Sequence, residues 1–236
     1  MSKKIGVVSE GVSDYYVLKH IVSRYLKEQD VYTIPLNPKQ DKGKQVGFSG
    51  WQGVLNYISG MDEKNLFVEA LKEECEYVVV QIDTDCCAEY GVEHQTDDLT
   101  VLWKNVYENL VNRIPADFDK SKLIFAISID ETECWLIPFI DTNKKNCENI
   151  DRCVNLVNKG IKKQDLFIDP DNKNSDGAKS AYDYILKQKK KPKEIKECSE
   201  FNYGFKKLIE QLDEIRVLHR NDVIPASCRA SSLSSK

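Results

Sequence analysis

Six acidic residues, arriving in three pairs at the ends of hydrophobic runs, are the groups in this chain best suited to chemistry. Glu10 and Asp14 stand in Val7-Val8-Ser9-Glu10-Gly11-Val12-Ser13-Asp14, Asp83 and Asp85 in Gln81-Ile82-Asp83-Thr84-Asp85, and Glu131 and Glu133 in Ile129-Asp130-Glu131-Thr132-Glu133. The run over residues 77–82 reads as a strand buried on both faces, and the carboxyl ends of such strands are where open α/β sheets place their ligands. Carboxylates gathered there repel one another unless cations neutralise them. Oxygen-only sites select hard divalent ions, Mg²⁺ above all, with Mn²⁺ able to substitute. Residues two apart on an extended strand point to one side, so Asp83 and Asp85 can reach one ion, and Glu131 and Glu133 share that geometry. Asp130 would face away from Glu131 and is a reserve candidate. The pattern points to metal-dependent chemistry on phosphate.

Each pair alone also has a plain structural reading. A Glu-Gly after a strand makes a turn into a helix, because glycine permits the bend and an acid suits the positive helix start. Strand-end aspartates cap helices, and an acidic loop is commonly solvated surface. The order, spacing and strand context of the three pairs together carry the functional reading.

A hydrophobic strand ending in Glu-Gly-x-x-Asp, then a helix, then a strand ending in Asp-x-Asp resembles the Toprim domain of topoisomerases, bacterial primases and the overcoming-lysogenisation-defect nucleases. The matching residues are Glu10, Gly11, Asp14, Asp83 and Asp85. Glu131-Thr132-Glu133-Cys134-Trp135-Leu136 resembles the Glu-x-Trp-Leu segment of small stand-alone Toprim-like proteins, often linked to defence against phage. The resemblance spans roughly residues 3 to 140 and implies a Toprim-type nuclease cutting DNA or RNA, a candidate effector of anti-phage defence. It implies metals held by Glu10, Asp83 and Asp85, completed by Asp14, Glu131 and Glu133, with Glu10 the alternative general acid or base. It also implies a lysine beyond the acidic core, for which Lys179 is the candidate, since a lysine in a first helical turn opposes the dipole. No tyrosine stands out as a covalent nucleophile, and no zinc module of a primase is visible.

Two rivals come from other classes. The strand ending in Asp83-Thr84-Asp85 also resembles the first motif of haloacid-dehalogenase-type phosphatases, with Asp83 as nucleophile and Asp85 as acid/base. A β-α-β-α region precedes it here, and no later strand ends in paired aspartates. The other rival is a non-catalytic subunit of a partner ATPase, since the chain has no Gly-x-x-x-x-Gly-Lys-Ser/Thr phosphate loop of its own.

The elements that must position these groups alternate. Strands are predicted over residues 5–9, 31–36, 77–82 and 123–129, and helices over 14–28, 51–59, 62–74 and 98–113, with a glycine-bearing loop over 41–53. This order implies an α/β fold of Toprim-like, Rossmann-like type, with a mainly parallel sheet flanked by helices over residues 1–140. Beyond it the composition shifts towards asparagine and lysine. Helices over 149–159, 177–189 and 201–218, with a loop over 169–177, read as a smaller, mostly helical subdomain over 141–228. Residues 229–236 read as a disordered tail.

The net charge of the 236 residues is −4, which excludes a bulk basic coat and requires any nucleic-acid contact to be local. Its densest candidate is the run Lys187, Lys189, Lys190, Lys191 and Lys193, whose plain reading is a solvated helix end. Lys42, Lys44 and Trp51 are the fallback, and Trp51 could stack on a base. Mean hydropathy is −0.48 and no apolar run approaches the ~18 residues of a membrane span. With no signal-like opening after Met1-Ser2-Lys3-Lys4, a cytoplasmic protein is expected. The eight cysteines contain no Cys-x-x-Cys pair, and that scatter argues against both zinc and disulfides.

Overall fold

A computed structural model of the chain describes residues 3–27, 30–41, 44–46, 49–60, 75–94 and 97–223, with backbone alone for residues 40, 41, 44–46 and 218–223. The predicted helix over 62–74, the tail over 229–236, Lys42 and the side chain of Lys44 lie outside the described residues. In chain order the elements are β1 (Lys3–Val8), α1 (Val12–Tyr25), β2 (Val31–Asn37), β3 (Lys39–Asp41), β4 (Lys44–Val46), α2 (Gly50–Ser59), β5 (Cys75–Asp83), α3 (Leu99–Arg113) and β6 (Leu123–Ser128). A 3₁₀ turn (Thr132–Leu136) then leads into α4 (Ile137–Ile140), α5 (Lys144–Cys147), α6 (Cys153–Ile161), α7 (Asp176–Leu186), α8 (Pro192–Ser199) and α9 (Tyr203–Val223).

The expected α/β architecture forms. β1, β2, β5 and β6 make one four-stranded, all-parallel, Rossmann-like sheet in the order β2-β1-β5-β6. The chain leaves β1 for a neighbour on one side and returns on the other, so the order reverses between β1 and β5. Strand alternation then divides the core. Val7, Val79, Ile124 and Ala126 face α1, the 3₁₀ turn and the helices after residue 140. Val78, Val80, Ile82, Phe125 and Ile127 face α2 and α3. Helices α6 to α9 share the first of these clusters with the sheet, so the hydrophobic core does not divide at residue 140.

Both sheet edges are modified. β2 carries Pro35, which has no N–H to donate. Along β6, the side chain of Gln211 on α9 accepts from Phe125 N–H at 2.8 Å and donates to Phe125 O at 2.9 Å. No described helix is long and apolar enough to cross a membrane.

Several sequence expectations need correction. Residues 39–41 pair antiparallel with residues 44–46, β3 with β4, where a loop was expected from residue 41. The helix expected over 149–159 begins instead at Cys153 because residues 149–152 turn, with Arg152 left-handed at φ 52. The lysine run does not simply end a helix: α7 stops at Leu186 and Pro192 opens a new helix, α8, from the Lys191 cap. Cys134 and Cys153 form a disulfide, Cα–Cα 4.9 Å, against the expectation of none. They stand nineteen positions apart in sequence. The pairing arises because α6 packs on the 3₁₀ turn, which spacing alone does not reveal.

The close seat of α9 on β6 depends on Gly204, where any Cβ would fall on the carbonyl of Ile127. Helix propensity alone would favour alanine there by about 1 kcal/mol. Because backbone blocks the methyl, Gly204→Ala is expected instead to destabilise by about 1–3 kcal/mol, read as a lower urea midpoint at unchanged slope. A midpoint that stays or rises would show that the helix can shift off the strand.

Candidate functional site

The carboxyl ends of β1 and β5 flank the point where strand order reverses, and the first two acidic pairs meet there. Glu10 leaves β1 and its Oε1 accepts from the N–H of Asp83 at 2.8 Å. Gln81, fully buried on β5, ties the two together. Its Oε1 accepts from Glu10 N–H at 3.0 Å and its Nε2 donates to Asp83 Oδ1 at 2.8 Å. Gln81 and Asp83 are two apart on one strand and share its face. Thr132 completes the seat: its hydroxyl donates to Asp83 Oδ1 at 3.0 Å and accepts from Gln81 Nε2 at 3.1 Å. Asp83 Oδ1 is thus saturated, and Asp83 Oδ2 and Glu10 Oε2 take no hydrogen bond among the described residues.

Asp14 sits buried in the first turn of α1, where the Gly11 cap brings it beside Thr132. Asp85, contrary to expectation, does not share the strand with Asp83. β5 ends at Asp83, and Asp85 lies exposed in the following turn, its Oδ1 accepting from Cys86 N–H at 2.7 Å. Asp130 is left-handed, φ 65, and its carbonyl accepts from the N–H groups of Thr84 and Asp85, so it fixes that turn through its backbone.

Crowding shows in the proton affinities. Burial, opposed by the Asp83 amide and reinforced by Asp14 and Asp85, pushes Glu10 up to about 8. Burial and then Glu133, against Lys173 and Thr132, push Asp14 up to about 7. Asp83 is held well above the ordinary carboxylate range by burial and by four acids, Asp14, Glu10, Glu133 and Asp85. Burial and Glu131 lift Asp130 to about 6.

Glu131 and Glu133 are not on a strand either; Glu131 caps the 3₁₀ turn and Glu133 lies within it. They converge nonetheless, because Lys173 Nζ bridges them at 2.9 Å each. Glu133 also accepts from the Tyr182 hydroxyl, and Glu131 Oε1 from Val154 N–H at the start of α6, 3.1 Å. Burial works against the charge of Lys173, but Glu133 and Glu131 outweigh it and hold the ammonium above the ordinary lysine value. Sequence reasoning missed Gln81, Thr132, Lys173 and Tyr182. Only Gln81 had a readable signal, as the one polar residue inside Val78-Val79-Val80-Gln81-Ile82.

Lys179 pairs instead with Asp176 at 3.5 Å. In the lysine run, Lys187 pairs with Asp183 at 3.4 Å and Lys193 with Glu197 at 3.9 Å, while Lys190 and Lys191 are exposed and donate backbone N–H groups to Glu194. Lys189 is half-buried. Trp51 is half-buried at the start of α2, donating to Glu89 at 3.2 Å and lying 5.8 Å from the Tyr90 ring, whose hydroxyl donates to Asp83 O. Trp135 is buried and stacked on Phe205.

The all-oxygen donor set of Glu10, Asp14, Asp83 and Asp85 suits a hard cation. Among the described residues only Asp130, Cys134 and Cys153 bring three ligand-type atoms within 4.8 Å, and both sulfurs there are spent in the disulfide. The acidic cluster therefore offers a cation one or two carboxylates at a time. Such a site suits a cation that fills the rest of its shell with water. No protein-family model, curated protein or solved structure matches this chain.

The raised values fix a pH dependence. A carboxyl that binds its proton more tightly folded than unfolded makes the folded state lose stability as pH climbs from the unfolded value to the folded one. For Asp14 and Glu10 that window runs from 3.8 and 4.5 to about 7 and about 8. In chelator the urea midpoint is expected to fall between pH 4.5 and 8, and Glu10→Gln should flatten the fall. A midpoint that rises across this window would contradict the crowded site.

Proposed function

We propose that this chain is a metal-dependent phosphodiesterase of the Toprim type, a nuclease acting on DNA or RNA in the cytoplasm, with Mg²⁺ as cofactor and Mn²⁺ able to substitute. The observation that carries the reading is the convergence of Glu10, Asp14 and Asp83 at the strand-order reversal, with Lys173 the cation beside them. A bound divalent ion there would lower the pKa of the attacking water and neutralise the phosphate oxygens. Glu10 and Asp83 would hold it through the oxygens the scaffold leaves open, with Asp85 at the exposed rim. In place of holding the ion, Glu10, whose proton affinity in the metal-free site lies near neutrality, could pass a proton to the departing oxygen as its bond to phosphorus breaks, the attacking water giving its own proton to solvent as its oxygen bonds to phosphorus. Lys173 takes the place assigned to Lys179 by sequence, since it reaches Glu131 and Glu133. These two acids then position the lysine rather than ligate the metal. A role in anti-phage defence, alone or beside a separately encoded ATPase, is part of the proposal.

The test is cleavage of single-stranded DNA, duplex DNA, structured RNA and a generic phosphomonoester in manganese, alone and with any ATPase encoded beside the gene. A polymer should be cut and the monoester ignored, and Asp83→Ala/Asp85→Ala should remove at least about a hundredfold of the rate, the scale of losing positioned acid-base and metal ligands. Undiminished cleavage by that double variant would sink the site. Monoester turnover lost in Asp83→Asn, with every polymer intact, would establish a phosphatase. No turnover in any arm would leave a binding subunit.

An acidic protein must hold an acidic polymer through placed cations. Neutralising Lys187, Lys189, Lys190, Lys191 and Lys193 together is expected to weaken polymer binding and to reduce the salt slope by about 1 for each phosphate that a lysine no longer neutralises. An unchanged slope would identify the run as solvated surface and move the polymer path towards Trp51.

A further inference from the structure

A cavity of about 320 Å³ opens between α1 and α7, lined by Tyr16, Lys19, His20, Ser23, Arg24, Asp183 and Leu186. It shares no lining residue with the acidic cluster, and it reaches the size at which small-molecule sites begin. Its charge is unlike that of the chain as a whole. Lys19 and Arg24 are exposed and take no ion pair among the described residues, whereas the one acid, Asp183, is already held by Lys187 at 3.4 Å. The excess is positive in a protein of net charge −4.

The inner wall strengthens that field. His20 Nε2–H donates to the carbonyl of Lys189 at 2.9 Å, which draws the lysine run against the cavity rim. Burial holds the His20 ring below the ordinary histidine value; the Lys189 carbonyl and Asp183 oppose this, Arg24 and Lys190 add to it, and both cations lie close to the ring. Around the ring the cations outnumber the one acid, a balance that suits an anion. Ser23 adds a hydroxyl, and Tyr16 and Leu186 give an aromatic and an aliphatic wall.

We propose that this cavity binds a nucleoside phosphate, with Lys19 and Arg24 on the phosphate and the Tyr16 ring against the sugar or base. A planar guanidinium matches phosphate oxygens two at a time, an ammonium adds a point charge, and an aromatic face accepts any base. The phosphate can belong to a free nucleotide or to the end of a strand, because the recognising groups are the same. The site stands whether or not the chain cleaves nucleic acid.

Isothermal titration of the full chain in chelator tests it. The probes are adenosine, guanosine and uridine 5′-monophosphates, adenosine, inorganic phosphate, and short oligothymidylates with and without a 5′-phosphate. At least one nucleoside monophosphate or the phosphorylated oligonucleotide is expected to bind, and adenosine not. Lys19→Gln/Arg24→Gln should weaken that binding about tenfold or more, Ser23→Asp should do the same by adding a like charge to the ligand, and Asp83→Ala should leave it unchanged. Tighter binding of the phosphorylated oligonucleotide than of any mononucleotide would assign the site to a strand end, and the reverse to a free nucleotide. The proposal is overturned if none of the phosphorylated probes binds, if inorganic phosphate binds as tightly as the nucleotides, or if binding survives both the double variant and Ser23→Asp.

Discussion

Glu10, Asp14 and Asp83 repel one another, and they stay together because each is fixed by backbone that the core will not release. Glu10 follows, and Asp83 ends, adjacent parallel strands whose registry is set by Val7, Val79 and their buried neighbours. Asp14 is carried by the first turn of a helix whose same face is buried from Val17 to Tyr25. The sheet core supplies the free energy and the acidic cluster consumes some of it. Stability is lowered locally where a ligand of opposite charge can restore it, as functional sites commonly arrange.

Around that conflict the polar side chains form a connected set. Gln81 bridges Glu10 to Asp83, Thr132 bridges Gln81 to Asp83, and Ser128 lies 3.1 Å from the Thr132 hydroxyl. Each is buried, and each has a partner, so the network fixes the carboxylate orientation and not merely its location. The third acidic pair is built differently. It encloses Lys173, and the disulfide from Cys134 to Cys153 secures the segment carrying Glu133 to the helix whose amide Glu131 accepts.

Much of this was legible in the chain. The strands were visible as β-branched runs, the alternation of strand and helix gave a parallel sheet, and the acids fell where such sheets gather ligands. What could not be read has definite causes. The expected common side of Asp83 and Asp85 required β5 to run two residues further, but Thr84 and Asp85 are turned by the carbonyl of Asp130, forty-five residues on. Lys173 lies in a polar loop that nothing local distinguishes from Lys179, and only the packing of α6 and α7 decides which lysine reaches the glutamates. The disulfide is a pairing of the same kind, made by two cysteines whose spacing has no motif.

The sheet edges carry a consequence for behaviour in a crowded solution. A parallel sheet of four strands normally presents two rows of unpaired peptide groups, each a template on which another chain can add a strand. Here Gln211 occupies both peptide groups of Phe125 on one side, and Pro35 interrupts the donor row on the other. Growth by strand addition is discouraged at both borders, which keeps a hydrophobic sheet of this kind from polymerising. Partners of this protein are then expected to dock on its helices.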